Sequence, residues 1–306
     1  MKSVDALLAG LVDYAGLFPP ASEDMRPALE SYASYLQSAD RAALGRFIVP
    51  ISRLKELEEA GSDLMPRGSR SDPWRLSVLV AEDVRAAAEE MLKFNCRHSS
   101  ESKAGHAAID VAELKASTAD EIGHQRRDLP PGFTPYFEIP ITSDVSPLVK
   151  TIARVGARGK VRTGGVTPQA FPFAAEVIDF ITACRREGVP FKATAGLHHP
   201  IRGTYRLTYE PDSPTGTMYG FLNVFMAAAF VYAGESGDTA LAVLEEEDPS
   251  AFSFLDDAIV WRRKRIDAEQ IQASRAELAI SFGSCSFREP VEGLVHLVRR
   301  ARSTDK

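Results

Sequence analysis

The sequence predicts an α/β fold, a closed (β/α)8 TIM barrel, and two observations carry that expectation. Short apolar runs alternate with helical stretches along the whole chain, which is the pattern of a parallel sheet. Eight such pairs fit within 306 residues, which suits a closed barrel better than an open doubly wound sheet. No GxGxxG loop follows the first strand, which weakens the open-sheet alternative further.

Each pair can be justified in turn. LVDYAGLF (11–18) is the first apolar strand, and a helix with one apolar face runs from Met25 to Gln37. GRFIVPIS (45–52) is the second strand, followed by LKELEEAG, a helix closing on Gly61. WRLSVLVAE (74–82) is the third, and DVRAAAEEMLKF (83–94) its helix, with Asp83 placed as an N-cap. HAAIDVAEL (106–114) is the fourth; STADEIGHQRR (117–127) opens with a Ser/Thr cap and an acidic first turn. FTPYFEIPI (133–141) is the fifth strand, with its helix over 143–156. GKVRTGG (159–165) is the sixth, and a long amphipathic helix over 171–188 ends at Gly188. PFKATAG (190–196) is the seventh, followed by the apolar helix 217–234. ELAISFG (277–283) is the eighth, and a helix over 289–302 ends the pattern. Residues 235–276 carry little strand signal and are expected to be a helical insertion between the seventh helix and the eighth strand. This insertion would pack outside a single barrel domain spanning 1–306, as plain surface helix or as the contact of a homo-oligomer.

Composition bounds the function. Apolar residues make up 44% of the chain and charged residues 25%, ordinary for a globular protein. A net charge of −6 leaves no basic footprint for nucleic acid or an anionic membrane. No apolar run approaches the ~20 residues of a membrane helix. LLAGLV near the N-terminus is short and bounded by Asp5 and Asp13, so no signal peptide is expected. Cys96, Cys184 and Cys285 are few, odd in number and far apart, as for reduced thiols of a cytoplasmic protein.

In such a barrel the chemistry sits at the C-terminal ends of the strands. The polar residues there are Asp13 and Tyr14, Ser52, Glu82, then Asp110, Glu113 and Lys115 on the fourth strand. Glu138, Lys160, Arg162, Lys192 and Thr194 follow on strands five to seven, and Ser284, Cys285 and Ser286 after the last. Side chains two apart share a face, so Lys160 and Arg162 point together, as do Lys192 and Thr194. Adjacent strands lie ~4.8 Å apart, so the two lysines are expected to be neighbours, and close like charges lower a lysine pKa. A neutral amine attacks carbonyl carbon. Arg162 would press on Lys160 and hold a carboxylate or phosphate. Alternatively, the lysines pair with Glu113 or Glu138 as structural salt bridges. SFGSCSFREP (281–290) places Gly283, Ser284 and Ser286 between a strand and a helix start, which suits an anion site or plain Ser capping, with Glu289 competing against an anion. His198 and His199 could act as acid–base groups or hydrogen-bond donors, or ligate a metal with Glu138 or Asp13; otherwise no cofactor is expected. Cys285 lacks a histidine partner in sequence and is expected to be a small packed residue.

The order KVRTG, FKATAGL and SFGSCS resembles the deoxyribose-phosphate aldolase family, class I aldolases on a (β/α)8 barrel, over strands six to eight. The resemblance implies Lys160 as a Schiff-base lysine and Lys192 as the lysine that perturbs it. It implies an anion site at Gly196, Ser286 and the neighbouring backbone, and Asp110 as a strand-four proton-transfer group; Thr163, next to Arg162, is a further candidate for binding the substrate anion. Arg162, the HHP after strand seven and the 235–276 insertion depart from the family pattern. The expectation from residues and resemblance together is a lyase acting on a small anionic carbonyl compound, with Glu138 or Asp110 moving protons. A metal-dependent lyase or hydrolase and a non-catalytic anion-binding barrel are the alternatives.

Overall fold

The computed structural model describes all residues except 69–70, 82, 101–102 and 305–306; Glu82, a strand-end candidate above, lies outside the described residues. Seven strands follow one another around a ring: β1 (Val12–Tyr14), β2 (Leu44–Pro50), β3 (Trp74–Leu79), β4 (Ala107–Lys115), β5 (Thr134–Glu138), β6 (Arg158–Arg162) and β7 (Phe191–Thr194). The last strand of the chain, Ala279–Ser284, pairs with both β7 and β1 and closes the barrel, every pair being parallel. The predicted barrel is therefore present.

Helices run outside it in alternation with the strands. They are α1 (Lys2–Leu8), α2 (Met25–Leu36), α3 (Leu54–Gly61), α4 (Val84–Arg97), α5 (Ala119–Asp128), α6 (Ser146–Arg154) and α7 (Ala174–Glu187). Local chemistry explains their ends. The Asp83 side chain accepts from the Ala86 N–H at the start of α4. Thr118 and Glu121 form a reciprocal capping box on α5. Gly188 ends α7 in the left-handed conformation, where a Cβ is disfavoured. The apolar helix α8 (Phe221–Tyr232) is buried nearly all round. Its buried polar residue, Asn223, donates to the Val243 and Glu246 carbonyls and accepts from the Arg202 N–H, so the buried amide is satisfied.

Two parts differ from the sequence expectation. A hairpin of β8 (Gly203–Arg206) and β9 (Thr215–Met218) precedes α8. The segment 235–276 holds helices α9 (Gly237–Leu244) and α10 (Ala268–Glu277), as expected. Between them lies an antiparallel sheet of β10 (Phe252–Phe254), β11 (Ala258–Trp261) and β12 (Lys264–Asp267). The barrel-closing strand is thus β13, and α11 (Arg288–Thr304) follows it. Arg275 on α10 is buried and donates to the carbonyls of Leu7, Ala9, Ala279 and Ile280, tying this region to the end of α1 and the start of β13. Among the described residues no helix is long and apolar enough to cross a membrane.

Alternation along the strands sorts the side chains. Val12, Phe47, Val49, Leu76, Val78, Phe137, Val161, Phe191 and Phe282 face outward into the helix layer, where the apolar core lies. The barrel interior carries the other parity, and it is charged. Barrels of this class usually fill that space with Val, Ile and Leu.

Candidate active site

The interior charges form one continuous chain. The Lys192 Nζ donates to Asp13 Oδ2 and to Glu113 Oε1, each at 2.7 Å. The other oxygen of Glu113 lies 2.8 Å from Lys160 Nζ, which also lies 2.8 Å from Glu138 Oε2. Carboxylates and amines therefore alternate: Asp13, Lys192, Glu113, Lys160, Glu138. Hydroxyl and backbone donors add to these contacts. Ser77 Oγ donates to Glu113, Ser281 Oγ donates to Asp13 Oδ2, and the Arg46 N–H donates to Asp13 Oδ1. Strand register sets this up, since Lys160 stands opposite Lys192 and beside Glu138.

The lysines are thus neighbours, as the sequence predicts, but their predicted mutual repulsion is not the dominant effect. Glu113 stands between them. Burial opposes charge on Lys192, yet Asp13 and Glu113 outweigh it and raise its pKa well above the ordinary lysine value. Burial likewise raises the Glu113 carboxyl, but Lys160 and Lys192 prevail and hold it far below the usual carboxylate range. Lys192 is therefore a fixed cation that organises the carboxylates, with Glu113 placed between it and Lys160. The alternative of salt bridges to Glu113 and Glu138 describes the contacts.

Above this layer the barrel opens into a cavity of about 230 Å³. Lys160, Glu113 and Glu138 lie in its floor, and Lys115, Arg162, Thr194, Gly196, His198, Gly283, Ser284 and Cys285 line its walls. Lys192, one layer deeper, does not reach it. Arg162, two residues beyond Lys160, is exposed at the mouth and has no carboxylate partner among the described residues. Its guanidinium is free to take an anion. Phe18, Pro19 and Pro20 form an apolar wall opposite.

The turn after β7 shapes the other wall. Ala195 and Gly196 both have positive φ, 65° and 75°, which for Ala195 is a strained conformation. The turn carries His198 to the first turn of α11, where its Nδ1 lies 3.1 Å from Glu289 Oε2 and 4.0 Å from Cys285 Sγ. The hydroxyl of Tyr209, from the hairpin loop, donates to the same Glu289 oxygen at 2.9 Å. Burial alone would lower the His198 pKa; Cys285 and Glu289 outweigh it and push it up to about 9. His199 turns the other way and stacks on Tyr205 at 3.6 Å, away from the main cavity. Burial, followed by the neighbouring charge of His198, lowers its pKa.

Four sequence expectations are corrected by placement. Asp110 lies at the opposite, N-terminal floor of the barrel, bound to Arg46 Nε at 2.6 Å and to Arg75. Burial raises its carboxyl, but Arg46 and then Arg75 prevail and lower it, so it is a structural anion remote from the cavity. Thr163 is fully buried and its hydroxyl donates to the Thr194 and Ala195 carbonyls, holding the β6 and β7 turns together. Ser286 accepts from the Glu289 N–H and caps α11, the plain-capping alternative, and Glu289 occupies the place an anion would need. His198, Glu138 and Asp13 are each committed to different partners, and among the described residues no three His, Cys, Asp or Glu side chains are grouped to hold a metal ion. One pairing was missed: Cys285 does have a histidine neighbour, His198, brought to it by a turn whose geometry the sequence does not disclose.

No protein-family model matches the chain, and no curated protein matches its sequence. Among solved structures, a nitroalkane oxidase from Streptomyces ansochromogenes is similar at 13% identity and a TM-score of 0.36, over 99% of this chain and 100% of that one. A likeness of that size carries no weight for fold or function; the barrel assignment rests on the strand order and pairing described above.

Proposed function

We propose that the protein is a barrel enzyme acting on a small anionic carbonyl compound, with Lys160 as an imine-forming amine. The observation that carries this reading is the position of Lys160: its Nζ lies in the cavity floor, 2.8 Å from Glu138, with unpaired Arg162 two residues away at the mouth. Arg162 would hold the substrate's carboxylate or phosphate and set its carbonyl over the amine. Glu138 would take a proton from the Lys160 ammonium. The freed lone pair attacks the carbonyl carbon, the oxygen leaves as water after protonation, and the imine then draws electrons from the adjacent C–C or C–H bond. Glu113, tied to Lys192, stays anionic and keeps the iminium cation paired. The cavity's about 230 Å³ holds roughly eight water-sized groups, so the substrate is small.

The test is borohydride trapping with a panel of short aldehydes and 2-oxo acids, read by peptide mass spectrometry. An adduct on Lys160 that disappears in Lys160→Arg, where the cation remains but cannot form an imine, supports the reading. Turnover that persists in Lys160→Arg, with no trapped adduct in the wild type, removes it. A second reading is favoured by the saturation of both lysines with carboxylates: a non-catalytic barrel in which Arg162 and Lys115 clamp an anion. Ligand binding without any chemical change across the panel would select it.

A further inference from the structure

We propose that Cys285 and His198 form a second reactive centre in the wall of this cavity, a thiol–imidazole pair that adds covalently to small carbonyl electrophiles. No step of this reaction uses Lys160, so it stands apart from the imine reading.

The surroundings of the three cysteines separate their roles. Cys184 is wholly buried on α7 beside Phe180 and Gly159, and burial pushes its thiol up. That is a packed, inert cysteine. Cys96 is exposed on α4, away from the cavity. Cys285 is only 5% exposed, yet it faces the cavity and is ringed by polar groups. Its Sγ lies 3.6 Å from the Tyr209 hydroxyl and 4.0 Å from His198 Nδ1. Glu289 binds that same nitrogen and the same hydroxyl, so it fixes both donors beside the sulfur. Four separate segments converge here: the end of β13, the turn after β7, the hairpin loop and the first turn of α11. A residue needed only for packing would not require them.

The chemistry follows from the charges. His198 carries a proton at neutral pH because Cys285 and Glu289 outweigh the effect of burial. An imidazole 4.0 Å from the sulfur is placed to exchange a proton with it as it reacts, and the N-terminal end of α11 favours negative charge there. Glu289 opposes it, which leaves the imidazole as the group on which reactivity depends. The sulfur lone pair forms a bond to the carbonyl carbon, and the C=O π pair moves to oxygen. That oxygen takes the proton lost by the thiol, relayed through the imidazole. The product is a thiohemiacetal, formed without oxidant, reductant or leaving group.

Alkylation by iodoacetamide at pH 7, read cysteine by cysteine by mass spectrometry, tests the pair. Cys96 serves as the internal exposed reference. Cys285 is expected to react faster than Cys96 by about tenfold or more, and His198→Asn is expected to remove that excess while the Cys96 rate stays unchanged. In Lys160→Arg protein, where the imine at Lys160 cannot form, excess glyoxylate is expected to slow Cys285 alkylation. Three results overturn the proposal: a wild-type Cys285 no faster than Cys96, an excess that survives His198→Asn, or a Cys285 rate indifferent to glyoxylate.

Discussion

Lys192 is 1% exposed and touches two carboxylates, so its removal leaves Asp13 without its cation and Glu113 with Lys160 alone. Breaking a buried ion pair by deleting one partner costs ~3–5 kcal/mol. Lys192→Met is therefore expected to lose stability of that order in urea unfolding, whereas exposed Lys55→Met, paired only to Glu59 on the surface, is expected to change little. Equal losses from the two would contradict the network. His198 offers a second test. Its pKa is raised from an ordinary 6.5 to about 9, so the stability it contributes is complete below 6.5 and fades as pH rises through about 9. A ring-proton titration by NMR is expected near 9 and to move down in Glu289→Gln; a midpoint at 6.5 in the wild type would refute the clasp. At this scale the sequence was partly legible. Lys160, Glu138 and Arg162 follow from strand parity alone. Asp110 and Glu113 do not, because β4 holds one extra residue between the partners of Leu76 and Ser77. That bulge turns both carboxylates inward although they are three apart, one to the N-terminal floor and one between the lysines.

Elements whose turns follow common rules were readable; those with unusual turns were not. The barrel strands and capped helices announce themselves by period and by Asp83, Thr118 and Gly188. The β11–β12 hairpin turns at Arg262 and Arg263, with Arg262 in the left-handed region at φ 53° and no Gly or Asn to signal it. Its charged turn sits inside a run that reads as helix. The β8–β9 hairpin is short and half exposed, so its alternation is weak. The turns after β6 and β7 pack glycine against glycine: a Cβ on Gly196 would meet Phe171 at 2.8 Å and the Gly164 backbone at 3.1 Å. Gly196 also has φ 75°, which side chains disfavour. Gly196→Ala is expected to push these turns apart, costing ~1–3 kcal/mol and displacing His198 from Cys285. Thermal melting reads the first effect. Loss of the Cys285 alkylation advantage over Cys96 reads the second, and an unchanged value of both would show that the close approach is not needed.

Across the whole molecule, the apolar core lies in the layer between strands and helices, while the barrel's centre is ionic. The two contribute differently to stability. Apolar burial is nearly independent of pH, but the central network depends on Glu113 staying ionised. Glu113 is held below its ordinary 4.5, so its contribution is complete above that value and is lost as pH falls through its lower folded value; Asp110 at the barrel floor behaves in the same sense. Lys192 is raised above its ordinary 10.5, so its contribution is complete below that value and is lost only at still higher pH. His198 begins to release its share above 6.5. Together these place maximal stability between pH 4.5 and 6.5, with a steep acid limb and a shallow alkaline one. Melting temperatures followed by circular dichroism across pH 3 to 10 would trace that shape. Because protonating Glu113 removes one carboxylate partner from both lysines at once, leaving Lys192 with Asp13 and Lys160 with Glu138, the acid limb should be cooperative and should coincide with loss of borohydride trapping at Lys160. A melting temperature that does not fall at all between pH 4.5 and pH 3 would mean that Glu113 contributes no pH-dependent stability, and the reason for placing two lysines on neighbouring strands would have to be sought in the ligand alone.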